Sequence, residues 1–363
     1  MPETSPSPVG ARQRTTRHGA ARIEDWLHDV RERFARRRGH LPTVVPYTGY
    51  GSTEWVRVLC RVLLSKPVPA GAGGRRGRTR AQSIRGWRSF TSVPVGDVPV
   101  IIEVGGQRLE VLADRGGVVD TKVPVRLEPG WHRAQLHTEG SEPVEAPVHV
   151  IDPEARFGVI SDVDDTVMVT ALPRPLVAAW NTFVLDEHAR IPTPGMAVLF
   201  ERLVRDHPGA PVIYLSTGAW NVAPTLTRFL DRNLYPAGPL LLTDWGPTHD
   251  RWFRSGRAHK EENLRRLAEE FPDVRWLLVG DDGQHDEELY ARFAADHPGR
   301  VAAVAIRRLS TGEAVLAGGR TKADEHTDEV PWVSAGDGST LADQLAEAGI
   351  MHPGPPQPEP PLA

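Results

Sequence analysis

The sequence predicts an α/β protein: a small all-β unit followed by a parallel sheet covered on both faces by helices. Three observations carry this. Short apolar runs at 157–161, 211–216, 239–243, 275–280 and 301–306 alternate with amphipathic stretches at 196–206, 222–233, 259–271 and 284–296, the rhythm of parallel strands joined by helical crossovers. Between 42 and 151 the signals are instead strands punctuated by Gly and Pro turns. A length of 363 residues exceeds the usual span of one domain.

Composition sets the bounds. Hydrophobic residues at 40% and charged residues at 25% are ordinary for a folded globular chain. The apolar runs stop well short of the ~20 residues a spanning helix needs. The first residues, with Glu3 and several prolines, show no apolar stretch before a small-residue cleavage site, so a cytoplasmic address is expected. Cys60 is the sole cysteine, which excludes an internal disulfide and any multi-cysteine metal centre. A metal would be held by oxygen or histidine. The net charge of -4 argues against a dedicated nucleic-acid binder.

Taken in order, residues 1–20 are rich in Pro, Ser, Thr and Arg and are expected to form a disordered basic tail. Over 21–40, Ile23, Trp26, Leu27, Val30 and Phe34 recur at helical spacing among arginines, which predicts an amphipathic basic helix. Such a helix either attaches to anionic headgroups or docks on the body with a solvated basic face. Residues 41–151 are expected to build a β-sandwich-like domain: Val56, Val58, Cys60, Val62 and Leu64 alternate along one face, and Gly105-Gly106 marks a hairpin between 98–104 and 109–112. Its loop 71–88 carries Arg75, Arg76, Arg78, Arg80, Arg85 and Arg88, suited to phosphate-bearing surfaces or simply a solvated insertion. The parallel-sheet unit is expected over 152–317, and 318–363 as a largely disordered Pro-rich tail with one helix near 341–348.

In such sheets the reactive groups gather at the carboxyl ends of the strands, and those ends are polar here. The first strand runs into Asp162-Val163-Asp164-Asp165-Thr166. Clustered carboxylates after an apolar strand are costly without a cation or proton among them, and a hard ion such as Mg²⁺ fits. Asp162 can then attack phosphorus as a carboxylate nucleophile, while Asp164 can protonate the leaving oxygen and later deprotonate water. Asp165 reads as solvent-facing or structural.

The second strand ends at Ser216-Thr217-Gly218. Ser216 can hold phosphoryl oxygens, or it can cap the helix that follows. Lys260, read as lying at a helix start where it opposes the dipole, either neutralises Asp162 and phosphate or is a surface lysine; Arg257 is a backup cation. A fourth strand delivers Gly280-Asp281-Asp282. Asp281 should complete the magnesium site, and Asp286 can orient Lys260 or a metal-bound water from one layer out. His285 is left as an exposed neighbour.

Together, Asp162/Asp164/Thr166, Ser216, Lys260, and Gly280-Asp281 with Asp286 resemble the four motifs of haloacid-dehalogenase-type phosphatases. The resemblance implies a Rossmann-like haloacid-dehalogenase fold with a small or absent cap and an aspartyl-phosphate mechanism. It also implies Mg²⁺ bound by the carboxylates of Asp162 and Asp281 and the backbone carbonyl of Asp164, with Thr166 and Asp286 behind them. Pro46-Tyr47-Thr48-Gly49-Tyr50-Gly51, the stretch 162–170, Asn181-Thr182-Phe183, Pro194-Gly195-Met196, Phe271-Pro272 and the stretch 280–286 look like the actin-patch-associated phosphatidate phosphatases. That resemblance implies hydrolysis of phosphatidate to diacylglycerol. The wording departs from the family's at 216–218 and 281–284 without touching the catalytic positions. Gly49 and Gly51 lack the later residues of a nucleotide-binding loop.

Only about thirty residues separate the first motif from Gly195, so an open site is expected, suited to bulky or surface-bound phosphates. Trp180, Phe183, Trp220, Trp245 and Trp252 can form an apolar rim or belong to the core. The expected function is therefore Mg-dependent dephosphorylation, of phosphatidate first. The alternatives are a phosphomonoesterase for proteins or soluble metabolites, and a membrane-recruitment protein with secondary hydrolase activity. Peripheral membrane contact through the basic helix and the arginine loop is the expected partner relation. A receiver-type signalling module is disfavoured, because there the acidic pair follows the first strand and the phosphoacceptor the third.

Overall fold

In the computed structural model the chain is described over residues 30–65, 93–169, 190–243, 249–283, 285–316 and 329–354. The tail 1–20, the first part of the basic helix, the arginine loop 71–88, Trp180 to Phe183, Trp245 and the side chain of Trp252 lie outside these residues. Of the basic helix, residues 30–37 are helical. Ala35 packs with Leu64, Val93 and Val95, whereas Phe34 stays exposed beneath the Arg38 guanidinium, 4.0 Å from its ring centroid.

The β domain is built from β1 (Leu41–Pro46), β2 (Gly49–Ser52), β3 (Trp55–Ser65), β4 (Val93–Pro94), β5 (Pro99–Val104), β6 (Gln107–Leu112), β7 (Val118–Pro124), β8 (Gly130–His137) and β9 (Val144–Val150). Hydrogen bonding joins the described strands in one nine-stranded network, because β3 is 11 residues long and pairs with β1, β2, β4 and β7 along its length. Alternate residues of β5 and β9 point inward, as period-2 patterning requires. They enclose a core of Val56, Val58, Val62, Val100, Ile102, Leu136 and Val148. Gly105 and Gly106, with φ of 53° and 79°, make the β5–β6 hairpin turn, a conformation open to glycine but costly for most residues.

The second unit holds a six-stranded parallel sheet in the order β14-β13-β10-β15-β16-β17. Its strands are β10 (Phe157–Asp162), β13 (Val212–Ala219), β14 (Leu240–Thr243), β15 (Arg275–Asp281), β16 (Val301–Arg307) and β17 (Trp332–Ala335). β15 and β16 are apolar almost throughout because both faces are covered. Helix Met196–Asp206 buries Met196, Leu199, Phe200 and Leu203, a stripe at helical spacing. Helix Ala223–Arg232 begins with proline in its first turn, where the missing N–H costs nothing. A two-stranded ribbon of β11 (Met168–Val169) and β12 (Ile191–Pro192) frames the segment where a cap would insert.

The chain leaves β10 for β13 and β14 on one side, then returns to β15, β16 and β17 on the other. β10 is thus the strand at which the order reverses, and the crevice at its carboxyl end is where such sheets bind ligands.

Two boundaries need correction. The stretch 318–363 was expected to be largely disordered, yet Trp332–Ala335 extends the parallel sheet beside β16 and helix Gly338–Glu347 packs on the Met196 helix. A four-residue strand is too short to show periodicity; what holds it is burial of Val333 and Ala335 and register against Val304 to Arg307. The expected helix 259–271 begins ten residues earlier, running His249–Glu270. Its first turns hold only the adjacent pair Trp252-Phe253 among polar residues, so no apolar spacing marked them.

The two units share a core. Tyr47, Tyr50, Leu59 and Val118 of the β domain pack in the same hydrophobic cluster as the parallel sheet. Beside them a cleft of about 460 Å³ is lined by Val118, Trp220, His259, Asn263 and Arg266, among others. Burial pushes the His259 imidazole down to about 4, so it is neutral at neutral pH.

Candidate active site

Asp162 closes β10, Asp281 closes β15, and Asp286 is the first residue of the helix Asp286–Asp296. All three are buried, and one oxygen from each lies within 4.8 Å of the others. Gly280 makes this possible: a Cβ there would stand 2.7 Å from Asp286 Oδ2 and 2.7 Å from Tyr290 Cε2, so any side chain would push the helix and its carboxylate away. Asp281 is fixed through its other oxygen, which accepts the Gly283 backbone N–H at 2.7 Å.

Lys260 enters from the long helix. Its Nζ lies 2.7 Å from Asp162 Oδ1 and 2.6 Å from Asp286 Oδ1, with all three side chains nearly inaccessible. Burial pulls the ammonium down, but Asp162 and Asp286 outweigh it and hold it above its ordinary value. On the other side of β10, Ser216 donates to Asp164 Oδ2 at 2.9 Å and accepts the Gly218 N–H at 3.0 Å.

One cation does not balance this cluster. Asp162 Oδ2, Asp164 Oδ1, Asp281 Oδ2 and Asp286 Oδ2 are buried without a hydrogen-bond partner. Burial raises the Asp162 and Asp281 carboxyls well above the usual carboxylate range, and neighbouring carboxylates raise them further. Asp164 is also raised by burial, against the opposing hydrogen bond from Ser216. Uncompensated buried charge costs several kcal/mol per ion, so the orphaned oxygens call for a positive partner. The donor set is all oxygen, which suits a hard divalent cation. The residues therefore fit a metal, held among Asp162, Asp281 and Asp286.

Several expectations change. Ser216 lies inside β13, and the next helix starts at Ala223 after a 3₁₀ turn, so it is not an N-cap. Lys260 lies in the middle of its helix, not at its start; it is buried by its two carboxylate partners rather than poised by a dipole. Asp286 was assigned one layer out but belongs to the converging carboxylates, because the helix begins at that residue and turns its side chain back over Gly280. Asp165 is buried, with φ of 58°, and its carbonyl accepts from Arg307 at 2.6 Å, so it is structural and not solvent-facing. Arg257 is no substitute cation for the site, since it pairs with Glu261 and Glu288. Thr166 is buried behind the loop. His285 is exposed, 3.8 Å from Glu288. Trp220 is buried core rather than rim.

Two arginines escaped the sequence reading. Arg190, buried beside the ribbon, exerts a charge effect on Asp164. Arg307 ends β16 and bonds both the Asp165 carbonyl and Glu313 at 2.6 Å. Arg307 carried the same signal as Asp162 and Asp281, a charge at the carboxyl end of an apolar strand; Arg190 carried none.

Residues 157–308 match the family model described as "Phosphatidate phosphatase APP1, catalytic domain". The chain is 26% identical over 166 residues to phosphatidate phosphatase APP1 of Saccharomyces cerevisiae, covering 45% of this chain and 28% of that protein. It is 28% identical over 160 residues to an uncharacterized protein of Schizosaccharomyces pombe, covering 42% of this chain and 25% of that protein. The chain thus spans between a quarter and a third of the length of these curated relatives. Among solved structures, a carbohydrate acetylesterase from Xanthomonas citri aligns over 86% of this chain and 76% of that chain at 12% identity, with a TM-score of 0.29, too low to bear on the fold.

Proposed function

Residues 157–308 form a domain of the APP1-like catalytic family, and from that premise we propose that the chain is a magnesium-dependent phosphatidate phosphatase working through an aspartyl-phosphate intermediate. The single observation that carries the mechanism is the convergence of Asp162, Asp281 and Asp286 with orphaned buried oxygens beside Lys260. We read the parallel sheet as haloacid-dehalogenase-type; the reversal of strand order at β10 supports this. Bound among these carboxylates, Mg²⁺ would supply positive charge to the phosphoryl oxygens and allow Asp162 to stay ionised.

The chain's own residues divide the remaining work. A carboxylate oxygen of Asp162 attacks phosphorus as the bond to the leaving oxygen breaks, and Asp164 gives that oxygen its proton. Burial favours the protonated form of Asp164, which supports this role. Water then attacks the phosphorus of the aspartyl phosphate, Asp164 takes back a proton, and the bond to Asp162 breaks to release inorganic phosphate. Lys260 holds Asp162 in place and screens its charge as phosphate approaches. Ser216 fixes Asp164 by its hydrogen bond and can turn its O–H to a phosphoryl oxygen when Asp164 is protonated.

A lipid substrate would be met at a bilayer. Exposed Phe34 and Val30, on a helix with Arg31, Arg36 and Arg37 and followed by Arg38, support peripheral contact from the cytoplasmic side. The test is phosphate release by the full chain from phosphatidate vesicles and from soluble phosphomonoesters, with magnesium added back after chelation. Vesicle turnover that needs both magnesium and Asp162 is expected. Equal turnover by Asp162→Asn ends the mechanism, and indifference to lipid moves the substrate to soluble or protein phosphomonoesters.

A further inference from the structure

The last residues of β13, 216–219, carry Ser216, whose hydroxyl the phosphatase reading assigns to phosphoryl binding, and between Leu215 and Ala219 the register with β14 is broken, so 216–218 keep their shape without regular pairing to that strand. Inside the catalytic unit, Ser216 Oγ accepts the Gly218 N–H, and Thr243 donates to the Thr217 carbonyl at 2.9 Å and to the Gly218 carbonyl at 3.3 Å. Ala219 pairs with Thr243, and the residue after it, Trp220, is held from a different unit. Tyr47, between β1 and β2, donates its phenol O–H to the Trp220 carbonyl at 3.0 Å, and the two rings stack at 4.7 Å with planes 18° apart. Both side chains are buried.

Tyr47 is itself anchored. Its N–H bonds the Leu59 carbonyl at 3.0 Å, and three residues later Tyr50 donates to Glu270 at 2.8 Å. A buried phenol with a satisfied O–H is a stiff strut, with two side-chain torsions to freeze and a large flat contact. Nothing in the matched stretch 157–308 includes it.

We propose that Tyr47 is a positioning residue for phosphoryl binding: by clamping Trp220 it fixes the irregular end of β13 that carries Ser216, so the β domain is a working part of the active site rather than an appended module. This rests on the phosphatase reading. Misplacing a binding group by about 1 Å can cost on the order of a hundredfold, whereas loss of one hydrogen bond at an otherwise retained contact costs less.

The experiment measures inorganic phosphate binding by calorimetry in magnesium chloride, and KM and kcat for a soluble phosphomonoester, on full-length protein. Tyr47→Phe keeps the stacking and loses only the donor; phosphate Kd and KM should rise together about three- to tenfold with little change in Tm. Tyr47→Ala should weaken both further. Glu270→Gln, which loosens the same interface without touching the end of β13, should lower Tm and leave phosphate Kd within twofold. Folded Tyr47→Phe and Tyr47→Ala proteins that bind phosphate like the parent overturn the proposal, as does Glu270→Gln weakening phosphate as much as Tyr47→Phe, or a parent that binds no phosphate. Unchanged binding with intact turnover sinks the role of Tyr47 alone. Tyr47-dependent binding without turnover of any phosphomonoester sinks the phosphatase reading and leaves the clamp standing.

Discussion

Two charge clusters lie on the long helix His249–Glu270, one half-buried and one fully buried, and they are solved in opposite ways. At its carboxyl end, Glu270 receives Tyr50, Arg57 and Lys122 at 2.8, 2.9 and 2.9 Å, so both of its oxygens are occupied. Burial would raise this carboxyl, but the Lys122, Arg57 and Tyr50 partners win and hold it below its ordinary value. Midway along the helix, Lys260 faces Asp162 and Asp286, with Asp281 beyond, and carboxylate oxygens remain without partners. There burial wins and the carboxyls are raised. The same residue types thus make mortar where both carboxylate oxygens are engaged and a site where oxygens are left without a partner. A neutralised cluster fastens two units; an under-neutralised one waits for a cation and an electrophile.

The sharpest way to break this contrast is to remove one carboxylate from each cluster. Asp162→Asn should reduce turnover at least about a thousandfold, the scale of losing a nucleophile, while Glu270→Gln stays within about threefold; steady-state assays on both decide it. Next in size, Lys260→Met strands two buried carboxylates, and chemical denaturation without metal should show a loss of about 3–5 kcal/mol. Magnesium at a hundredfold excess over its Kd should stabilise the parent by about 2.7 kcal/mol, seen as a rise in Tm that Asp281→Asn abolishes. A Tm equally insensitive in both would mean that the orphaned oxygens do not bind the ion.

Glu270→Gln should cost about 1–3 kcal/mol at neutral pH. The Glu270 carboxyl is depressed on folding, so its contribution is present above the unfolded value of 4.5 and is lost as pH falls through the folded value below it. The difference in Tm between parent and Glu270→Gln should therefore shrink on acidification below about pH 4.5. A gap that stays constant down to pH 3 would detach the effect from titration. Smallest of all, Arg257→Ala removes partly exposed pairs with Glu261 and Glu288 and should change stability by less than about 1 kcal/mol, with turnover unaltered.

How much of this was legible in the sequence follows from what each residue had to signal. The parallel strands announced themselves because strands buried on both faces are continuous apolar runs, as in Trp276 to Val279. Asp162, Asp164 and Asp281 were legible as charges where such runs stop. Lys260 was found on a wrong argument: the first turns of its helix show no apolar periodicity and hid the true start at His249, and what holds it is the pair of carboxylates 2.7 and 2.6 Å away, a tertiary fact. Asp286 was assigned too far out because the position where its helix begins is set by the close approach over Gly280. The clamp of Tyr47 on Trp220 joins residues 173 positions apart, a distance no local pattern spans. β17 was missed because four residues cannot display a period.

That last strand has a practical outcome. Trp332–Ala335 covers the flank of β16, whose seven residues are all buried. A polypeptide ended at Arg308, where the matched stretch stops, would leave a row of bare amides and carbonyls along Val304, Ala305 and Ile306, a template for a neighbouring molecule to zip onto. Recombinant material cut there should precipitate or self-associate, and extending it through Met351 should restore a monodisperse product.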